Sequence, residues 1–400
     1  MKILYIHQYF ITPSEPGGTR SYWIAKEMVK RGHNVIMITS TNNQHPEPKR
    51  VDIDGIEVVY VKNAYSQSMS ALHKIKSFLN FMYLSISAAT KEKNVDLVFA
   101  TSTPLTVGGV ALYLKLFKKW SYVFEVRDLW PEFPIQIGAI KNPFIKWALR
   151  KFERAIYKHS EFVIALSPGM MDGVIAAGTP KEKTCVIPNM SKPDTFYPRD
   201  INTNIAKEYK IDLGKFNIIH TGSMGVANGL DYVIDTAKLL KQHRIDNIQF
   251  ILMGGGATLH LLKDEVERNS LENVHFISSQ PQNIVAEVMN CCQASLTSFK
   301  NLPILYTNSP NKLFDSLSAG LPIIVNSAGW TKDLVEKEDC GFFVDPSNPN
   351  DFVDKLLRYT KDSEQLRRWG ENARNLSLNV FDKNILTKQV VDVIERVNKH

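Results

Sequence analysis

Residues 308–325 read NSPNKLFDSLSAGLPIIV. Ser309 and Asn311 are placed to cap a helix near 311–319. SAGLPIIV then carries the chain from the end of that helix into a buried strand, which ties the helix to a sheet. Lys312 falls in the first helical turn, against the macrodipole preference for acids there, and an anion bound at that end accounts for the cation. Asp315, three residues on, shares its face. A lysine and an aspartate one turn apart suit a sugar diphosphate, lysine on phosphate and aspartate on hydroxyls. A surface ion pair is the other reading.

The same alternation runs outward in both directions. Upstream in the second half stand FNIIHT (216–221), IQFILM (248–253), VHFI (274–277) and ASLTS (294–298), with GFFV (341–344) downstream, all separated by helical stretches. The first half repeats the pattern with KILYIH (2–7), NVIMITS (34–40), IEVVYVK (56–62), DLVFA (96–100), YVFEV (122–126), FVIAL (162–166) and CVIP (185–188). Such short, β-branched, weakly alternating runs indicate parallel strands buried on both faces, joined by right-handed crossover helices. The polar, proline-bearing PNMSKPDTFYPRD (188–200) breaks the pattern. The expected organisation is therefore a first α/β domain over 1–190, a linker over 191–201 and a second over 202–378, with a helical segment over 379–400. Two doubly wound domains of this kind hold ligands at the carboxyl ends of their strands.

Composition narrows the function. Of 400 residues, 44% are hydrophobic and 22% charged, which excludes global disorder. No apolar run approaches the roughly 18 residues of a spanning helix, and the apolar start at Ile3–Ile6 is too short for a signal peptide. The four cysteines show no metal spacing, so a reduced cytoplasmic compartment and no metal are expected. Residues 1–200 hold 26 basic and 17 acidic side chains, whereas the remainder is mildly acidic. The densest patch is KNPFIKWALRKFERAIYK (141–158), whose apolar and basic residues interleave at helical spacing. Such a helix aims its charge at phosphates or at an anionic membrane surface, or is simply solvated. Without a recognition motif it does not indicate nucleic acid.

Further candidate residues lie at strand ends. Gly17 and Gly18 precede a helix whose first turn holds Arg20, a pattern that admits a phosphate or serves as a plain turn. HTGSMGVANGLD (220–231) places Gly222, Ser223 and Asn228 in a glycine-rich turn without the lysine of a P-loop. MGGGATL (253–259) has Leu259 where a dinucleotide motif needs its third glycine, so a tight turn is expected. FEVRDLWPEFP (124–134) sets Arg127, Asp128 and Glu132 just past a buried strand; Asp128 is best placed to take a proton from a substrate hydroxyl, and His7 is a second candidate.

GGTR (17–20), RDLWPE (127–132), LSPGM (166–170), IPN (187–189), TGSMGVANGLD (221–231) and SPNKLFDSLSAGLPI (309–323) occur in this order. Together they resemble the family 4 retaining glycosyltransferases of GT-B fold, in particular the WbuB-like branch of bacterial surface-polysaccharide assembly. The resemblance implies an α/β protein of two Rossmann-like domains facing across a cleft, with a C-terminal helix returning to the first. It implies a UDP-sugar donor on the second domain and, on the first, a lipid-linked acceptor of the undecaprenyl diphosphate type. Transfer would retain configuration without metal or cofactor, at the inner face of the cytoplasmic membrane, in O-antigen or capsule synthesis. Gly17 and Gly18 then match the glycine pair near the donor phosphates, Asp128 the acid beside the reacting hydroxyl, and Lys312 a cation on the diphosphate. Gly222, Ser223, Asn228, Ser309 and Asn311 join the donor site, and Arg20, Arg127 and Glu132 the acceptor side. Asp315 matches the second acid of the family's E-x7-E motif. The first falls at Thr307, and the family's loop cations fall at Ser223 and Asn228. A nucleotide-sugar epimerase and a non-catalytic nucleotide-sugar-binding subunit are the alternatives.

Overall fold

The computed structural model describes residues 1–41, 49–66 and 69–398. Residues 399 and 400, expected in the closing helical segment, lie outside the described residues. The chain divides into two compact units. One takes Met1–Thr12, Thr19–Pro188 and Asn384–His400, the other Pro13–Gly18 and Asn189–Lys383. Among the described residues no helix is long and apolar enough to cross a membrane.

The strands of the first unit are β1 (Lys2–Ile6), β2 (Asn34–Thr41), β3 (Lys49–Ile53), β4 (Ile56–Lys62), β5 (Leu97–Thr101), β6 (Ser121–Val126), β7 (Phe162–Ala165) and β8 (Thr184–Val186). They form one sheet of order β3-β4-β2-β1-β5-β6-β7-β8. All pairings are parallel except that of β3 with β4. The central strands are buried, β5 throughout and β1 from Ile3 onward, because helices cover both faces, which is why their sequences do not alternate. Strand β3 was not expected: KRVDI is too polar to read as buried, and it forms because it needs only one partner, at the sheet edge. The turn Asp54–Gly55, with φ of 53° and 84°, is the tight connection an antiparallel pair demands.

Arg20 departs from its expected place on the acceptor side. It opens helix Arg20–Lys30 but is only 2% exposed. Its guanidinium pairs with the fully buried Glu125 of β6 at 2.8 Å and donates to the carbonyls of Ile187 and Pro188. Thr101 Oγ1 donates to the other Glu125 oxygen at 3.1 Å. The cation holds β6 to the end of the unit's main stretch.

The second unit contains β9 (Phe216–Ser223), β10 (Ile248–Gly255), β11 (Val274–Ile277), β12 (Ala294–Thr297), β13 (Ile323–Val325) and β14 (Gly341–Phe343). Its sheet is all parallel, of order β11-β10-β9-β12-β13-β14. The winding direction reverses between β9 and β12, and ligands of such sheets sit at that point. Glycine at the end of β10 serves packing: a Cβ on Gly254 would stand 1.9 Å from the Gly222 carbonyl. Residues 191–201 are not a free linker. Ser191, Lys192 and Phe196 are buried in this unit, and the Arg374 guanidinium donates to the carbonyls of Phe196 and Pro193 at 2.9 and 3.1 Å. Proline-rich spacing thus marked a close-packed strap. The loop Pro13–Gly18 also belongs to the second unit, although its chain neighbours on both sides lie in the first.

The Arg20–Glu125 pair generates a direct test. Arg20→Ala leaves a buried carboxylate uncompensated, so stability is expected to fall by about 3–5 kcal/mol in urea melts. A loss below about 1 kcal/mol would mean that the pair does not hold the sheet.

Candidate functional site

Helix Asn311–Ala319 starts without a side-chain cap, its N-cap position being Pro310. The two expected caps are used otherwise. Ser309 Oγ accepts from the Asn189 backbone N–H at 3.3 Å, and Asn311 lies inside the helix. The first-turn amides are therefore left without a side-chain acceptor, a ready position for an anion.

Lys312 reaches from that first turn to the end of β9. Its Nζ donates to Asn228 Oδ1 at 2.9 Å and lies 3.0 Å from His220 Nε2. The buried His220 has Nδ1 3.1 Å from the Leu296 carbonyl. A carbonyl only accepts, so the ring proton resides on Nδ1 and Nε2 turns its lone pair to the ammonium. Burial, reinforced by the Lys312 charge, holds His220 well below the usual imidazole range. Burial likewise pushes the Lys312 ammonium down to about 7. Among the described residues no carboxylate pairs with Lys312. A desolvated cation at the positive end of a helix, held by neutral groups, is best compensated by an anionic ligand.

The glycine-rich turn shapes this corner. Gly222 has φ of 104°, which excludes a side chain without strain, and a Cβ there would lie 3.8 Å from Lys312 Cε. Ser223 ends β9, and Asn228 ends the single turn Val226–Asn228. Gly17 and Gly18 come to this unit through the Pro13–Gly18 loop, where Gln282 Nε2 donates to the Gly17 carbonyl at 2.9 Å. Asp315, expected to share a ligand with Lys312, forms its ion pair with Lys192 at 2.8 Å. Burial raises the Asp315 carboxyl pKa, with Lys192 opposing. Thr307 donates to the Ile304 carbonyl at 2.8 Å, within its own turn.

The first unit carries a second cluster at the carboxyl edge of its sheet. Asp128, just past β6, accepts through Oδ2 from Thr103 Oγ1 at 3.1 Å. Burial raises its pKa, and Thr103 and Arg127 oppose the rise. The Arg127 backbone N–H donates to Ser102 Oγ at 3.0 Å, and its Nη1 lies 3.4 Å from His7 Nε2. His7 is buried, with Nδ1 2.9 Å from Ser21 Oγ, and burial holds it well below the imidazole range. It is thus a neutral neighbour of Arg127 rather than a charged acid. Glu132 stands apart from this cluster, bound to Arg150 at 2.9 Å and to Gln136 at 3.3 Å.

Sequence reasoning missed His220, Lys192 and Asn189. A histidine inside the apolar run FNIIHT was the available signal for the first. Lys192 was hidden in the segment read as linker, and Asn189 stands just before it, as the last residue of IPN (187–189).

Two family models cover most of the chain: "Glycosyl transferase 4-like domain" over residues 17–190 and "Glycosyl transferases group 1" over 201–376. An alpha-galactosylglucosyldiacylglycerol synthase of Streptococcus pneumoniae is 22% identical over 62% of this chain and 65% of its own length. A UDP-Gal:alpha-D-GlcNAc-diphosphoundecaprenol alpha-1,3-galactosyltransferase of Escherichia coli is 24% identical over 54% of this chain and 52% of its own. The matched stretch thus spans about half to two thirds of these relatives. Among solved structures, Anabaena HepE in complex with UDP and glucose aligns over 99% of both chains, with TM-score 0.74 and 18% identity, a likeness of GT-B fold.

The buried ammonium makes stability depend on pH. Unfolded, Lys312 keeps its proton to its ordinary 10.5; folded, it releases it near 7. Between those values unfolding takes up a proton, so this group's contribution to stability rises with pH through the window and is least favourable below it. Lys312→Met is therefore expected to melt above wild type at about pH 6, and to lose that advantage progressively from about pH 7 to 10. Thermal melts across pH check this; an advantage independent of pH would rule out desolvation of the ammonium.

Proposed function

We propose that this chain, which belongs to the GT-B glycosyl transferases pairing a type 4-like first domain with a group 1 second domain, moves a hexose or N-acetylated amino sugar from a UDP-sugar to a lipid-diphosphate-linked glycan. The observation that carries this reading is the Lys312 ammonium, set between His220 and Asn228 beside an uncapped helix start. It supplies one buried positive charge and a set of amides to a diphosphate.

In the proposed step the bond between the sugar's anomeric carbon and the β-phosphate oxygen breaks. The acceptor oxygen bonds to the same face of that carbon, which retains configuration. The negative charge that develops on the leaving diphosphate is met by Lys312 and the helix amides, with no metal required. The acceptor hydroxyl hands its proton to the departing phosphate oxygen while Asp128, fixed by Thr103, orients that hydroxyl. Asp315 is assigned to the nucleotide ribose and Gly17 and Gly18 to the approach of the phosphates. UDP in HepE and the undecaprenol-linked substrate in the name of the Escherichia coli relative support the donor and acceptor classes. Surface-polysaccharide synthesis, O-antigen or capsule, is the setting this acceptor class fits.

Such an acceptor sits at the cytoplasmic face of a membrane, and the first unit has a surface suited to it. Helix Pro143–His159 exposes Phe144, Ile145 and Trp147 among Lys146, Arg150, Lys151, Arg154 and Lys158. Helix Ala71–Ala89 exposes Leu72, Ile75, Leu79 and Tyr83 at helical spacing. Apolar side chains among cations favour a peripheral hold on anionic headgroups.

Transfer is tested by incubating the protein with UDP-sugars and undecaprenyl-diphosphate-linked acceptor and weighing the lipid product. Lys312→Ala is expected to lower kcat/KM by about 10²–10³ and Asp128→Asn by about 10² or more; near-wild-type transfer by both variants sinks the assignment. Flotation with anionic liposomes is expected to carry the protein at low salt and release it at high salt. Flotation that ignores Trp147→Glu and salt removes the membrane surface from the proposal.

A further inference from the structure

We infer that the first unit holds a saccharide-binding subsite next to Asp128, made of a row of four aromatic rings and two buried polar groups that lack partners. It rests on the reading that this unit receives the acceptor, and it assigns the residues that would recognise a sugar ring.

The rings are contiguous. Tyr9 and Tyr65 have centroids 4.9 Å apart, Tyr65 stacks on Phe78 at 5.6 Å, and Phe78 meets Trp130 edge-on at 6.0 Å. Trp130 lies two residues beyond Asp128, so the row begins at the proposed reaction centre. All four rings are half-buried, neither sealed in the core nor fully in solvent.

Two buried polar side chains belong to the same edge of the sheet. Gln8, 0% exposed, lies two residues past β1, and neither its Oε1 nor its Nε2 has a hydrogen-bond partner. It is the one buried side-chain amide among the described residues with both ends unpartnered. The Trp130 indole Nε1 is also buried without a partner. Strand β5 alone separates β1 from β6, and the three run parallel, so both groups follow strands at the same edge of the sheet. Burying such groups unpaired opposes folding, and a ligand that supplies the missing partners explains their presence.

The ligand chemistry follows from the pair of observations. A sugar ring offers C–H faces that pack on aromatic rings and hydroxyls that both donate and accept. An amide needs both kinds of partner, and an indole N–H needs an acceptor. A polyprenyl chain would cover the rings and leave Gln8 and Trp130 unpaired. The row therefore suits the saccharide of the acceptor.

The test uses the full chain and a panel of octyl glycosides (glucoside, galactoside and N-acetylglucosaminide), with a sugar-free octyl sulfobetaine as control. Binding is read by saturation-transfer NMR. At least one glycoside is expected to bind wild type and the control not to. Gln8→Leu is expected to weaken that glycoside about tenfold, with UDP affinity unchanged and an unfolding midpoint equal to or above wild type. A merely structural Gln8 would lower the midpoint and leave glycoside binding alone. Trp130→Phe, which keeps a ring but removes the N–H, is expected to weaken the same glycoside and decides the matter if Gln8→Leu does not fold. Binding by no glycoside, equal binding of the control, or full binding by the variants overturns the subsite. UDP affinity is measured separately on wild type, so failure of the donor reading shows there and not in the glycoside panel.

Discussion

One desolvated ammonium organises the second unit. Lys312 stands where a helix prefers negative charge, and its partners are an imidazole lone pair and an amide oxygen rather than a carboxylate. Neighbouring features follow from accommodating it. Gly222 keeps the space beside its stem open, the Leu296 carbonyl fixes the tautomer that can accept from it, and the helix start beside it carries no side-chain cap. The family's loop cations are absent at Ser223 and Asn228, and the structure shows what stands there instead. Asn228 receives a lysine that arrives from another element.

The two units use a related device. Each places a buried histidine in or just past its first strand with a cation against Nε2: His7 with Arg127 at 3.4 Å, His220 with Lys312 at 3.0 Å. In both, burial and the adjacent cation hold the ring in its neutral form. A neutral imidazole can accept from a cation without cancelling its charge, so the cation is positioned and remains available to an anion. A carboxylate in the same place would hold it as firmly and neutralise it. Arg20 shows that alternative, held by Glu125 and committed to structure.

Much of this was legible in the chain. Strand positions were readable because doubly covered strands are short, apolar runs, as VIMIT and LVFA are. β3 was not, since an edge strand can be polar and is recognised only through its partner. Lys312 was legible because a first-turn lysine contradicts the dipole. Its neighbour His220 was not, because that contact joins positions 92 residues apart; Asn228 was named from its glycine-rich turn, but its bond to Lys312, across 84 residues, was not. Arg20 and Asp315 share a feature that sequence does not display: each charge has a buried counter-charge from a distant segment, Glu125 in one case and Lys192 in the other. Prolines near residue 190 suggested an interdomain linker; the burial of Lys192 and Phe196 within it comes from packing that no local pattern reveals.

The last helix, Lys383–Asn398, has its buried face, with Leu386, Val390, Val391 and Ile394, in the first unit. There Arg31 reaches Asp392 and Glu395, His33 reaches Glu395, and the Arg396 guanidinium covers Phe162. During synthesis, therefore, the part begun first is finished last. The ribosome releases the whole second unit before the first receives this covering, and the nascent amino-terminal half must wait with an apolar face uncovered. A premature stop codon late in the message would strip the amino-terminal half and spare the later one.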